Sequence, residues 1–161
     1  MDLKAKRSDR VTSPLLRAIR AGDLAGVQQA LQAGVAVEDP NNMGWTNLMW
    51  AVEFSTAQTV EIVAELLRAG VNVNAQDIFG YTPLIFAVRY SAAAVVAQLL
   101  AAGAQVNLAD NSGVTVLEHA ALAADNSQRL AIVRLLLAAG AQAPADLDPL
   151  AQQVLLAVRE S

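Results

Sequence analysis

The side chains best suited to acid–base or metal chemistry in this sequence are Asp77, Asp110, Glu118 and His119. A carboxylate beside an imidazole, as in Glu118-His119, is common material for general acid–base catalysis. His119 is the only histidine and there is no cysteine, so no second nitrogen or sulfur ligand exists to complete a zinc site. Glu118 follows Thr115 at the spacing of a capping box, in which hydroxyl and carboxylate each accept a free helix N–H. That role accounts for Glu118 without catalysis. Asp77 and Asp110 precede Gly80 and Gly113 at the same interval and would form a carboxylate pair if their segments lay side by side. A glycosidase pair sits about 5 to 10 Å apart across a cleft. Here no third group and no apolar surround is evident to tune either carboxyl. Asp110-Asn111-Ser112-Gly113 begins like a calcium loop, but Ala121 holds the position where the bidentate glutamate belongs. The expectation is no catalytic residue, no metal and no cofactor. An enzyme centred on Glu118 and His119 is the lesser alternative.

These residues have to be positioned by the elements around them, and the stretch Phe79–Asn111 shows what those elements are. Thr82 can cap a helix with its hydroxyl, and Pro83 suits the first helical position, where no N–H is needed. Leu84-Ile85-Phe86-Ala87-Val88 supplies the apolar run. A second run, Val95-Val96-Ala97-Gln98-Leu99-Leu100, ends at Gly103, where glycine can adopt the left-handed conformation that closes a helix. The unit is turn, short helix, tight connection, second helix, loop. It recurs: the interval from Gly80 to Gly113 equals that from Gly70 to Gly103. A fixed period of this kind marks a stacked repeat whose units cannot bury their apolar stripes alone.

With Thr82-Pro83-Leu84, Ala87, Leu99-Leu100, Gly103-Ala104 and Asn107 in place, the chain resembles the ankyrin-repeat family over roughly residues 13–146. The resemblance implies an all-α solenoid of four helix-turn-helix repeats, at about 13–40, 41–76, 77–109 and 110–146. A C-terminal capping helix follows at 148–160, with Leu150, Val154 and Val158 on one stripe. The tail 1–12 is polar and locally basic. Compared with the third repeat, the second carries three extra residues within Ser55–Val60, and the fourth carries four within Ala124–Leu130. Both insertions are expected at one edge of the stack. The family's motif histidine is replaced in every repeat, by Leu16, Met49, Ile85 and Glu118. His119 falls one position later, in a column with Arg17, Trp50 and Phe86, and is expected to pack between neighbouring helices.

Composition narrows the function classes. The formal net charge is −4, which disfavours general nucleic-acid binding through clustered Lys and Arg. No apolar run is long enough to span a bilayer, and the N-terminus lacks the apolar core of a signal peptide. The expected location is cytoplasmic and the expected state a monomer. Alanine richness and the preference for arginine over lysine suit a GC-rich bacterial genome.

The family's concave face is made of turn tips and first helices, and every aromatic residue of the chain lies in those elements of repeats two and three. Trp50 and Phe86 belong to the packing column and are assigned to the core. Trp45, Phe79, Tyr81 and Tyr90 are expected to be exposed on one continuous surface. With Met43, Glu53, Phe54 and Arg89 they form the predicted partner-binding set. Arg20, Glu53 and Arg89 occupy equivalent positions in three repeats and are placed to pair across the stack or to orient a partner. The reading is a non-catalytic module that binds another protein. A small inhibitor or immunity-type protein occluding one enzyme or toxin is the narrower form of it.

Overall fold

The computed structural model describes residues 13–90, 92–123, 128–143 and 149–160. The tail 1–12 and most of the second insertion lie outside the described residues. Among them are nine helices: α1 (Pro14–Ala21), α2 (Leu24–Gln32), α3 (Asn47–Phe54), α4 (Thr59–Arg68), α5 (Pro83–Arg89), α6 (Ala93–Ala101), α7 (Val116–Leu122), α8 (Arg129–Ala138) and α9 (Pro149–Glu160). The described residues contain no strand, only an isolated bridge between Ala109 and Thr115. The all-α repeat solenoid expected from the sequence is the fold observed.

The first helix of each repeat starts the same way. Ser13, Thr46, Thr82 and Thr115 accept hydrogen bonds from the N–H three residues on, at 3.1, 3.3, 3.2 and 3.3 Å. Each satisfies one of the free donors at a helix start. Glu118 completes a capping box by accepting from the Thr115 N–H at 2.8 Å. At the other end of α1, Gly22 takes a φ of 67°, a conformation glycine enters without strain, and turns the chain into α2.

The helices form two layers. One layer stacks α1, α3, α5 and α7; the other stacks α2, α4, α6 and α8; α9 packs on both α7 and α8. The core lies between the layers and between successive repeats. Leu48, Met49, Leu84, Ile85 and Leu117 fill it from the first layer, Ile62, Leu66, Leu99, Ile132 and Leu136 from the second. Met49 and Ile85, at positions of the missing motif histidine, are completely buried. Apolar packing has taken over there from a polar side chain.

The insertions have a structural consequence. Gln58, within the first insertion, accepts a hydrogen bond from the Leu24 N–H at the start of α2, 3.2 Å away. Gln128 stands at the equivalent place, as far before Gly140 as Gln58 is before Gly70. It accepts from the Ala93 N–H of α6 at 3.0 Å. The longer repeats thus supply acceptors to the second helix of the repeat before them.

At the C-terminal end, Ala151, Val154 and Leu155 of α9 are buried and Val158 is partly buried. The side chain of Leu150 lies outside what the structure describes. Because repeat stability resides largely in neighbour interfaces, truncation after Gln142 should lower the melting temperature, broaden the transition and reduce solubility. An unchanged melting curve would show that α9 does not cap the stack.

Candidate functional site

The turns that lead into α3, α5 and α7 share one device. Oδ1 of Asn41 accepts from the Met43 and Trp45 N–H groups at 2.8 and 3.0 Å. Oδ1 of Asp77 accepts from Phe79 and Tyr81 at 2.8 and 2.9 Å, and Oδ1 of Asp110 from Ser112 and Val114 at 2.8 and 3.0 Å. A short polar side chain that bonds its own turn fixes the tip without a sheet. Neighbouring tips are then tied together. Ile78 N–H donates to the Met43 carbonyl at 3.0 Å and Asn111 N–H to the Phe79 carbonyl at 2.9 Å. The Asn111 side chain donates to the Ile78 carbonyl at 2.9 Å.

On this frame the aromatic residues form a connected series. Phe54 stacks on Trp50 with centroids 5.3 Å apart, and Trp50 meets Trp45 at 4.6 Å. Trp45 meets Phe86 edge-on at 4.7 Å, Phe86 meets Tyr81 at 6.2 Å, and Tyr81 meets His119 at 5.4 Å. Phe79 and Tyr90 branch from it beside Tyr81 and Phe86. Edge-to-face and offset contacts at these distances are the favourable geometries for aromatic rings.

The series divides the predicted contact set. Phe79 and Tyr90 are 51% and 43% exposed, and Met43 and Arg89 are also exposed. Tyr81, Phe54 and Glu53 are partly buried. Trp45 is a correction: expected on the surface, it is only 8% exposed. Its indole Nε1 donates to Oδ2 of Asp77 in the next turn at 3.1 Å, and its ring lies between Trp50 and Phe86. The neighbouring repeat covers a tip residue that looks exposed when one repeat is considered alone. Trp50 and Phe86 are buried, as their column suggested. Ile78, 52% exposed beside Phe79, was missed. Its place at the tip, directly after Asp77, was the available signal.

The two arginines also differ from a simple ion-pair reading. The Arg20 guanidinium lies 5.4 Å from the Phe54 ring centroid, and that of Arg89 lies 5.0 Å from Tyr81. Both distances fall within the reach of a cation–π contact.

Asp110 and His119 meet within the fourth repeat. His119 Nε2 and Asp110 Oδ2 are 2.9 Å apart, and both side chains are largely buried. Burial alone pushes the Asp110 carboxyl up. The hydrogen bond from His119, the backbone N–H groups of Val114 and Ser112, and the His119 charge outweigh it, so the carboxyl titrates below its ordinary 3.8. A depressed carboxyl bonded on both oxygens is a fixed acceptor, poorly matched to proton transfer near neutrality. Glu118 is engaged in the Thr115 cap, and His119 is engaged through Nε2 in the bond to Asp110. No group of three or more potential ligands among the described residues is placed to hold a metal. No helix among the described residues is long and apolar enough to cross a membrane.

A family model described as ankyrin repeats (3 copies) matches residues 2–77 and 55–146. The chain belongs to the ankyrin-repeat family. Ankyrin repeats are in general protein–protein interaction modules and typically non-catalytic. No curated protein matches the chain significantly.

Two outcomes follow from the division of the aromatic residues and from the Asp110 pair. Trp45→Ala should cost about 3–5 kcal/mol, the range for removing a large buried aromatic side chain. Phe79→Ala, at an exposed tip, should shift stability by about 0.5 kcal/mol or less. Urea melts of both variants test this, and equal losses would put Phe79 in the core. Asp110 contributes stability that is fully present above its unfolded value and is lost as pH falls through its lower folded value. Asp110→Asn keeps an acceptor for the turn, as Asn41 does naturally, but removes the charge. Below pH 3.8 the parent should lose stability more steeply than this variant. Parallel acid limbs would rule out a contribution from the Asp110 charge.

Proposed function

We propose that this protein is a non-catalytic module that holds a partner protein on the face built by the turn tips and first helices of repeats two and three. The observation that carries the reading is the exposure of Met43, Ile78, Phe79 and Tyr90 around a buried aromatic series. Large apolar side chains grouped on a rigid support are typical of interface anchors. The tips are held by paired backbone bonds and the rings by one another, so little freedom remains to be lost on binding. Phe79, Tyr90 and Met43 are the anchors in this reading. Arg89, Glu53, Phe54 and Tyr81 border or support them, and Trp45 acts through the fold beneath.

The test begins with the partner recovered by affinity purification from the native source, followed by measurement of its affinity for purified variants. Phe79→Ala and Tyr90→Ala should each weaken binding by about 2 kcal/mol, the level of a strong anchor, while the melting temperature stays near that of the parent. Val60→Ala and Leu130→Ala, on exposed positions of the second helix layer, should bind like the parent. Loss of binding in the second pair with retention in the first would place the interface on the opposite side.

A further inference from the structure

At the same interval after each first-helix cap, the four repeats carry Arg20, Glu53, Arg89 and Leu122. Arg20 and Arg89 are exposed, Glu53 is partly buried, and Leu122 is 45% exposed. These residues end α1, α3, α5 and α7 or lie within their last turn, so the layer brings them into one row. Among the described residues, ion pairs join Arg68 to Glu65 and His119 to Asp110. Arg20 and Arg89 take part in neither. Each instead has its guanidinium over a ring, Phe54 or Tyr81.

That arrangement affects recognition. A guanidinium lying over a ring still has N–H donors for an acceptor, and their fork matches a carboxylate in bidentate geometry. The ring also limits the side chain's rotamers, which lowers the entropy lost when an acceptor binds. Arg20 and Arg89 are two helices apart in the layer. Packed helices are separated by about 8–10 Å, which puts the two positions about 16–20 Å apart. An extended chain rises about 3.3 Å per residue and spans that distance in five or six residues.

The geometry points to a partner segment, bound in extended form along this row, that carries two acidic side chains five or six residues apart. An apolar residue follows about three positions beyond the acid that meets Arg89, where Leu122 lies exposed. Glu53 stands between the two arginines and the chain is acidic overall. Glu53 opposes a continuous run of phosphates but leaves room for two acids spaced to either side of it, so the segment is an acidic peptide rather than a nucleic acid. The inference rests on the binding face proposed above and adds the partner's charge pattern to it.

Random dodecapeptides displayed on phage and selected on the full chain provide the test. The selected pool should be enriched in Asp or Glu pairs at a spacing of five or six. A synthetic peptide from that pool should bind the Arg20→Glu/Arg89→Glu variant about tenfold or more weakly than the parent, the scale expected when close charge pairs are reversed. The same peptide with both acids changed to Lys should recover affinity for that variant. Both substitutions lie at exposed positions, and matching melting curves would confirm that the variant is folded. Peptides that lose affinity with Phe79→Ala and Tyr90→Ala but ignore the reversal would overturn the charge pattern and leave the binding face standing. Peptides indifferent to both sets of variants would overturn both. A pool without the acidic spacing, or peptides displaced by a single-stranded oligonucleotide at equal concentration, would overturn the acidic-peptide assignment.

Discussion

A single side-chain oxygen in each turn, accepting two backbone N–H groups, holds the candidate face in place. Without it, Met43, Trp45, Phe79, Tyr81, Ser112 and Val114 would have donors with no partner in a tip that belongs to no sheet, and unpaired backbone donors are costly unless water reaches them. Asn41, Asp77 and Asp110 meet that need with Oδ1. The two aspartates have a second oxygen, and each uses it differently. Asp77 takes the Trp45 indole of the previous repeat, while Asp110 takes the imidazole of its own. Local turn closure and contact between repeats therefore pass through the same kind of side chain. A tip cannot shift without disturbing the ring attached to it.

The aromatic series gives the face a fixed floor. Trp45 bridges its own Trp50 to Phe86 of the next repeat, and Tyr81 bridges Phe86 to His119. Rings that hold repeats in register also hold Phe79 and Tyr90 at their edges. Surface chemistry and packing here are parts of one object, and the arginines that cover Phe54 and Tyr81 extend it towards solvent.

The repeat itself was legible in the sequence because it is written in local rules. Thr82-Pro83, the Thr115–Glu118 box and the glycine spacing specify helix starts and stops that depend on few distant residues. Trp45 was not legible, because its burial is decided by Asp77 and Phe86, each contributed by the following repeat. The same limit applies to Arg20 and Arg89: sequence spacing showed that charges share a row but could not show that their guanidinium groups lie over the rings of Phe54 and Tyr81. Glu118 was legible as a cap, since Thr115 belongs to the same helix start; the bond from His119 to Asp110 was not, because sequence spacing alone does not bring the turn and the helix face together. The insertion at Ser55–Val60 was visible as extra length, yet its use as an acceptor for α2 required the three-dimensional register. Contacts a few residues apart, such as caps, can be read from the sequence; contacts between repeats depend on the stack.

The cross-repeat acceptors Gln58 and Gln128 make the repeats unequal. Each belongs to a long repeat and serves the second helix of a shorter one before it. The interval from Gly34 to Gly103 matches that from Gly70 to Gly140 to within one position, whereas the single intervals between these glycines alternate long, short, long. The period that returns the same neighbours is therefore a pair of repeats rather than one. Excising the second repeat alone would set the first against the third, leaving the Leu24 N–H without Gln58. Removing a short repeat together with the long one after it keeps each acceptor with the helix it serves. A deletion or duplication of two repeats therefore leaves each acceptor beside the helix it serves, whereas a change of one repeat does not.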